Sequence, residues 1–245
     1  MKDKKIKGTE LIFGMHPIIE LLKAKKRRLS ALYTTKPFPK GFKEIEKLLP
    51  KGIQLQFVSR DVLTKMAGTL DHQGVIGFTT PIVIRKKFFD PQKQPFLVML
   101  DGLQDPRNAG AIIRSAYCTG VDGIIMTEKK SVSITATVLK SSAGLAEHCE
   151  IYMAPSAASV IQELKKAGYA LYVSLLDAKS KKINELSFKG PVCIIIGSEG
   201  TGVSKDAAQA GQHIYIPQRS SDISYNASVA AGILLFAAGQ QLGKI

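Results

Sequence analysis

The second part of the sequence alternates continuous apolar runs with helix-like segments, and this alternation restricts the possible folds more than any other feature. Runs that are apolar throughout predict strands buried on both faces. Such strands, separated by helices, are typical of a parallel sheet covered on both sides. The predicted strands are residues 96–100, 123–126, 170–175, 192–196 and 213–216. The predicted helices are residues 109–119, 135–142, 156–167, 205–210 and 224–241.

The front of the chain predicts a separate, smaller α/β domain. Its predicted helices are residues 17–25, 40–49 and 61–67, the last capped by Ser59, and its predicted strands are 29–34, 53–58 and 75–79. Residues 81–95 are rich in lysine and proline and show little periodicity, which is typical of a linker. We therefore expect a front domain over residues 1–80, a linker over 81–95 and a second domain over 96–245.

The positive charge of the chain is concentrated in its front region. The whole sequence carries 34 Lys and Arg against 20 Asp and Glu, a formal net charge of +14. Residues 1–90 hold 19 basic and 8 acidic side chains, which gives +11. Such a field favours encounter with polyanions, and nucleic acid is the expected partner, although lysines also serve solubility alone. The densest basic cluster, and the candidate RNA-binding set, is Lys25, Lys26, Arg27 and Arg28.

Composition excludes several other classes of protein. With 45% hydrophobic and 22% charged residues, the chain is expected to be globular. The longest nearly apolar run, residues 229–239, is shorter than the roughly 20 residues that a membrane span needs. The three cysteines are scattered and the four histidines lack metal-ligand spacing, so neither disulfides nor a metal site is expected. We expect a soluble protein of the reducing cytoplasm.

Three predicted strands of the second domain, residues 96–100, 192–196 and 213–216, are each followed by a cluster of polar residues. Ligands in open α/β sheets bind at this carboxyl end of the strands. The first cluster contains Asn108, expected to cap the following helix, and Arg114. The second is a glycine-rich turn with Glu199 inside it, which lacks the spacing of a phosphate-binding or dinucleotide-binding loop. The third includes Ser224 and Asn226 at the start of an apolar helix. Each cluster alone is also explained by ordinary caps and turns.

Together the three clusters resemble the motifs of a known enzyme family. The segments are Asn108-x-Gly110-x-x-x-Arg114, Gly197-x-Glu199-x-x-Gly202, and Ile216-Pro217 followed by Ser224-x-Asn226-x-Ser228. In this order they resemble the motifs of the SpoU/TrmH group of SPOUT RNA ribose methyltransferases. Residues 13–17 and 71–75, Phe-Gly-Met-His-Pro and Asp-His-Gln-Gly-Val, resemble the ribosomal-RNA branch of that group.

The resemblance implies a fold and a set of partners. The implied fold class is α/β, with a C-terminal SPOUT domain that has a parallel sheet and a deep trefoil knot, and a small L30e-like α/β domain at the N-terminus. The implied cofactor is S-adenosylmethionine and the implied assembly is a homodimer. The implied reaction is methyl transfer to a ribose 2′-hydroxyl, with a guanosine of the large-subunit ribosomal RNA as the expected target.

The resemblance also implies roles for particular residues. The implied cofactor-binding set is Gly197, Gly202, Ile216, Tyr225 and Ser228. The implied catalytic set is Arg114, Asn108, Glu199, Ser224 and Asn226. Arg114 is expected to face the target nucleotide, and Asn108 to order the site. Because arginine keeps its proton at neutral pH, we expect Arg114 to bind phosphate and stabilise developing negative charge rather than act as a base.

This chain departs from the family pattern in its third motif. The usual Met-x-Gly after Ile-Pro is Gln218-Arg219-Ser220 here, and Tyr225 stands where leucine is usual. The departures affect the expected cofactor pocket. Two alternatives stay open at this point: a transfer-RNA methyltransferase of the same group, and a catalytically silent RNA-binding factor of ribosome assembly.

Overall fold

The computed structural model describes residues 8–129, 131–220 and 223–245. The basic residues before Gly8, which contribute to the charge of the front region, lie outside these ranges. The strands are β1 (Glu10–Phe13), β2 (Leu29–Thr34), β3 (Leu55–Phe57), β4 (Val75–Thr79), β5 (Phe96–Asp101), β6 (Gly123–Thr127), β7 (Ile151–Ala154), β8 (Ala170–Ser174), β9 (Lys181–Lys182), β10 (Val192–Gly197) and β11 (Gln212–Tyr215). The helices are α1 (Met15–Ala24), α2 (Phe42–Leu48), α3 (Arg60–Ala67), α4 (Pro106–Cys118), α5 (Ala136–Ser141), α6 (Ala157–Ala167), α7 (Lys205–Ala208) and α8 (Ala227–Gln241).

The chain divides into two compact units. The front unit contains residues 8–83 and 134–148, and the sheet unit contains residues 84–133 and 149–245, without the positions outside the described ranges. In the front unit, strands in the order β1-β4-β2-β3 form one sheet, in which β4 is antiparallel to both neighbours and β2 is parallel to β3. Phe13, Leu63 and Ile76 form a buried cluster of its core.

The front unit includes a segment that the sequence assigned to the second domain. Residues 134–148 contain α5, which packs against β1 and α1. Leu139 and Ala146 of this segment are buried. The predicted second domain, residues 96–245, therefore differs from the structure, because residues 134–148, between β6 and β7, pack in the front unit.

The sheet unit confirms the predicted parallel α/β architecture. Its strands lie in the order β7-β6-β5-β10-β8-β11-β9, and all neighbouring pairs are parallel. Strands β5, β6 and β10 are buried almost throughout, as their apolar sequences predict. Strands β7 and β9 were not predicted, because one is short and half-buried and the other consists of two exposed lysines. The trefoil knot stays a prediction.

The predicted linker is shorter in the structure than in the sequence interpretation. Residues 84–95 belong to the sheet unit, where Phe89 is 3% exposed and packs in the core. The Arg85 guanidinium lies 4.8 Å from the centre of the Phe89 ring, and the backbone N–H of Arg85 donates to Ile151 O at 2.7 Å. These interactions hold most of residues 84–95 against the sheet unit.

Two helix starts bear on the site. Helix α4 begins at Pro106, and the Asp105 carboxylate, rather than Asn108, accepts the capping hydrogen bond from Arg107 N. The expectation that Asn108 caps this helix is wrong, because Pro106 is well suited to a first helical turn. Helix α8 begins at Ala227 and is capped by Asn226. No helix within the described ranges combines the length and apolar character that crossing a membrane requires.

Candidate active site

A cavity of about 350 Å³ lies where three neighbouring strands of the sheet unit end. Ser174 ends β8, Gly197 ends β10 and Tyr215 ends β11, and all three residues line the cavity. Because these strands are adjacent and parallel, their carboxyl ends open onto the same edge of the sheet. The rest of the wall comes from the turn after β10, the segment after β11 and the start of α8.

The glycine-rich turn after β10 closes on itself. Ser198 N donates to Gly202 O at 2.9 Å, and Gly202 N donates to Ser198 O at 3.0 Å. A Cβ atom on Gly197 would lie 2.3 Å from the backbone carbon of Gly202, which a real side chain cannot do. Gly202 has a φ of +66°, a conformation that glycine adopts without strain. The glycines therefore form the turn that places Glu199 at the cavity.

The far end of the same turn is fixed by a buried carboxylate. Asp101, at the end of β5, is 5% exposed and accepts a hydrogen bond from Ser204 N at 2.7 Å. Ser204 in turn caps α7 through Ala207 N. The turn after β10 is thus held to β5, the strand next to β10 in the sheet.

Three side chains from the three sequence clusters form one hydrogen-bonded chain. Asn226 Nδ2 donates to Asn108 Oδ1 at 3.2 Å, and Asn108 Nδ2 donates to Glu199 Oε1. These residues come from the start of α8, the first turn of α4 and the turn after β10. Asn108 therefore lies between the other two, and its role in ordering the site stays a prediction.

Asn226 has a second task in the structure. Its Oδ1 accepts hydrogen bonds from Ser228 N at 2.9 Å and Ser228 Oγ at 2.6 Å, and a longer one from Val229 N at 3.4 Å. The side chain therefore caps α8 with its oxygen while its amide nitrogen holds Asn108. Ser228 fixes the orientation of this amide and does not line the cavity.

Arg114 is exposed on α4, in the same helix as Asn108. It does not line the cavity, whereas Ser224 and Tyr225 are exposed residues at its rim. A solvent-facing guanidinium on the helix that carries Asn108 is available to an incoming anionic substrate.

Gln218, a departure from the family pattern, contributes an unsatisfied donor to the cavity. Its Nε2 atom is buried and has no hydrogen-bond partner among the residues that the structure describes. Because a buried amide without a partner costs free energy, this donor marks a place where a ligand acceptor would stabilise the wall.

The structure brings together most of the predicted site. The predicted residues that line the cavity are Gly197, Glu199, Gly202, Ile216, Ser224, Tyr225 and Asn226. The predicted residues outside the lining are Asn108, Arg114 and Ser228. Sequence reasoning missed three lining residues at the end of β8, Ser174, Leu175 and Leu176. The strand-end argument applied to the predicted strand 170–175 would have found them.

The basic cluster of the front unit is not uniform. Lys25, Lys26 and Arg28 are exposed. The Arg27 side chain is fully buried, and its guanidinium binds Glu147 at 2.7 Å and Glu10 at 2.9 Å. The prediction that Arg27 binds RNA is wrong, because its charge is neutralised inside the unit.

The fold and the site together define a class of protein. A parallel α/β sheet with a cavity at its carboxyl edge, walled by a glycine turn and by polar residues of three separate segments, is the arrangement of an enzyme that binds a small cofactor. Residues 95–236 match the SpoU rRNA methylase family, and residues 11–82 match the family of RNA 2′-O ribose methyltransferase substrate-binding domains. The chain belongs to the SpoU rRNA methylase family.

Individual proteins resemble the chain over nearly its whole length. It is 34% identical to the 23S rRNA (guanosine-2′-O-)-methyltransferase RlmB of Acinetobacter baylyi, over 95% of this chain and 97% of that protein. It is 31% identical to RlmB of Shewanella oneidensis, over 96% and 99%. The AdoMet-bound rRNA methyltransferase of Sinorhizobium meliloti has the same fold, with a TM-score of 0.79 and 23% identity over 98% of this chain and 90% of that one.

Proposed function

We propose that this protein transfers a methyl group from S-adenosylmethionine to the ribose 2′-hydroxyl of a guanosine in large-subunit ribosomal RNA. The observation that carries the proposal is the hydrogen-bonded chain Asn226–Asn108–Glu199 at the cavity, since it joins one residue from each family motif. The RlmB relatives, which align with both units, support the ribosomal substrate over transfer RNA.

The cavity suits S-adenosylmethionine in size and chemistry. About 350 Å³ falls within the range of small-molecule sites, about 300 to 1,000 Å³. Apolar side chains such as Leu175 and Ile196 fit a purine ring, whereas Gln218 Nε2, which has no partner among the described residues, fits an acceptor of the cofactor. A Cβ on Gly202 would meet open space, so the backbone at this point is open to a ligand.

The work left to the protein is mainly alignment. S-adenosylmethionine supplies, when bound, a sulfonium methyl that is already an activated electrophile. Residues of the turn after β10 and of the α8 start would hold the cofactor, and Asn108 would keep Glu199 and Asn226 in fixed positions. Arg114 would bind a phosphate of the RNA and stabilise negative charge that develops on the ribose oxygen.

The front unit is proposed to bind the RNA. It carries the exposed basic residues Lys25, Lys26 and Arg28, and the substrate-binding family match lies within it. Residues 134–148 would belong functionally to this unit. The cytoplasmic location predicted from the sequence stays a prediction.

A homodimer is part of the proposal. Helix α8 is apolar around nearly its whole circumference, and Val229, Ile233 and Phe236 are 49%, 37% and 51% exposed at helical spacing on one face. An apolar face of this kind favours contact with another protein surface. Sedimentation velocity should find a dimer for the native chain and for Gln240→Lys, and a monomer for Phe236→Lys; a native monomer would contradict the dimer.

A titration calorimetry experiment with S-adenosylmethionine tests the function most simply. Binding with one site per chain is expected in the absence of RNA, because the cavity lies wholly within the sheet unit. A folded protein that binds RNA but no cofactor would contradict the proposal and favour a catalytically silent assembly factor.

A further inference from the structure

Three phenylalanine rings of the front unit form a continuous cluster that runs from the buried Phe42 to the surface. Phe38 stacks on Phe42 with ring centres 4.5 Å apart and an interplanar angle of 7°. Phe57, at the end of β3, lies 5.6 Å from Phe38 at a tilt of 49°. Phe42 is 1% exposed, whereas Phe38 and Phe57 are 44% and 41% exposed. We refer to Phe38 and Phe57 as the aromatic patch.

A cation accompanies the aromatic patch. Lys36 Nζ lies 4.2 Å from the centre of the Phe57 ring, within the distance of a cation–π contact. The segment from residue 36 to residue 60 holds six basic side chains and two acidic ones, and one of the acidic pair, Glu44, binds Lys23 at 3.2 Å. The segment that carries the patch therefore has a net charge of +4.

The patch also has a rigid support. Phe42 is buried in α2 and fixes the ring of Phe38 by parallel stacking. Phe57 belongs to β3, which pairs with β2 and forms the edge of the front sheet. Two large aromatic side chains that are held in place and left half-exposed can accept a further ring at little cost in conformational entropy.

We infer that the aromatic patch with Lys36 binds an unpaired base of the RNA substrate. Proteins that bind single-stranded nucleic acid combine exposed aromatic rings, on which bases stack, with cations that bind the backbone. A purely apolar protein partner fits less well, because the segment around the rings carries a net charge of +4. The inference rests on the proposed function in that it takes RNA as the substrate.

The test compares single-stranded and duplex RNA on the full-length protein. The probe is a twelve-nucleotide RNA with a central 2-aminopurine, alone or annealed to its complement, and stacking is measured as fluorescence quenching. Phe38→Leu and Phe57→Leu keep apolar volume but remove the aromatic face. Each should weaken binding of the single strand about five-fold or more and reduce the quenching, since stacking contributes about 1 to 3 kcal/mol per base. Binding of the duplex should change by less than two-fold.

Controls separate this inference from the proposed function. Leu70→Ala alters another exposed apolar residue of the front unit, 71% exposed, and should leave both affinities unchanged. Lys36→Gln, which leaves the rings in place, should also weaken the binding of single-stranded RNA. Should a leucine variant fail to fold, photo-crosslinking of a 4-thiouridine RNA to the native protein should label residues 36–57.

The results distinguish three outcomes. Leucine variants with native affinity and native quenching, or crosslinks confined to other segments, would overturn the inference while methyl transfer still supports the enzyme. Native protein that binds neither RNA would contradict the proposed function as well. A decrease in affinity for the duplex as large as for the single strand would overturn base stacking and assign the patch to a general surface role.

Discussion

The Asn226 amide joins helix α8 to helix α4 by donating from Nδ2 to Asn108 Oδ1 at 3.2 Å, while its Oδ1 caps α8. One side chain thus performs two tasks with two different atoms. A substitution that keeps the oxygen and removes the nitrogen can therefore separate structural capping from the order of the site.

Asn226→Asp should retain stability and lose activity. The aspartate oxygen still caps α8, and a negative charge at a helix N-terminus is favourable. Removing the donor to Asn108 should lower methyl transfer about ten-fold or more, equivalent to about 1.4 kcal/mol. Asn226→Ala should lose activity and also about 1 kcal/mol of unfolding free energy. Native turnover in Asn226→Asp, with urea unfolding and initial rates measured side by side, would show that the hydrogen bond has no functional role.

Arg114→Ala should abolish most methyl transfer and leave cofactor affinity within two-fold of native. Cofactor affinity should hardly change because Arg114 is exposed on α4 and lies outside the cavity lining. Methyl transfer should fall because the proposed contact with an RNA phosphate is lost. Arg114→Lys should recover only part of the rate, because an ammonium group cannot form the two parallel bonds of a guanidinium. Lys166→Ala, which removes one exposed charge from α6, is the matched control. Full turnover in Arg114→Ala would refute the assignment.

Lys25, Lys26 and Arg28 should contribute to RNA binding, whereas the neighbouring Arg27 should contribute to stability. Replacing Lys25, Lys26 and Arg28 together with glutamine should weaken RNA binding and reduce its salt slope by about 0.7 to 0.9 for each phosphate that the variant no longer neutralises. Their exposure predicts little change in stability. Filter binding over a salt series measures the affinity and its slope, and an unchanged slope would exclude these three residues from the RNA interface.

Arg27→Met should instead destabilise the fold. The guanidinium holds the buried Glu147, and its Nε donates to Thr80 O at 2.7 Å. Removing it leaves a carboxylate buried without its cation, which costs about 3 to 5 kcal/mol. Arg28→Met is the control, and the two unfolding free energies should differ by most of that amount. Equal stability in the two variants would contradict the buried pairing.

The sequence predicted the sheet unit better than it predicted domain boundaries. Continuous apolar runs identify strands such as β5 and β10 because both of their faces are buried. Residues 134–148 lie between β6 and β7 of the sheet unit but pack in the front unit, and no local sequence pattern indicates in which unit they pack. The burial of Arg27 could not be predicted from the sequence either, because its partner Glu147 is 120 residues away.

His72 predicts a pH dependence of stability. The imidazole is fully buried, its Nδ1 accepts from Gly74 N at 3.0 Å, and its Nε2 lies 3.1 Å from Thr64 Oγ1. Burial, assisted by the charges of Arg60 and Lys140 and opposed by Asp71, lowers the pKa of His72 below its usual 6.5. Protonating Nδ1 would also break the bond from Gly74.

The sign of the effect follows from this lowered pKa. Below pH 6.5 the unfolded chain binds a proton that the folded chain excludes, so stability is complete above that pH and falls as pH decreases towards the folded value. A tenfold difference in proton affinity between the two states is equivalent to about 1.4 kcal/mol. His72→Asn keeps an acceptor for Gly74 but does not titrate. The melting temperature of this variant should therefore change less between pH 5 and 7 than the melting temperature of the native protein. Parallel profiles would contradict the account of His72.

Nucleoside analysis of methylated RNA would identify the atom that this protein methylates. Purified protein, tritiated S-adenosylmethionine and large-subunit ribosomal RNA would be incubated, and the RNA digested to nucleosides and separated by chromatography. The label should elute as 2′-O-methylguanosine and should be absent with Arg114→Ala. Label in a base-methylated nucleoside, or no label from folded protein that binds the cofactor, would contradict the proposed function.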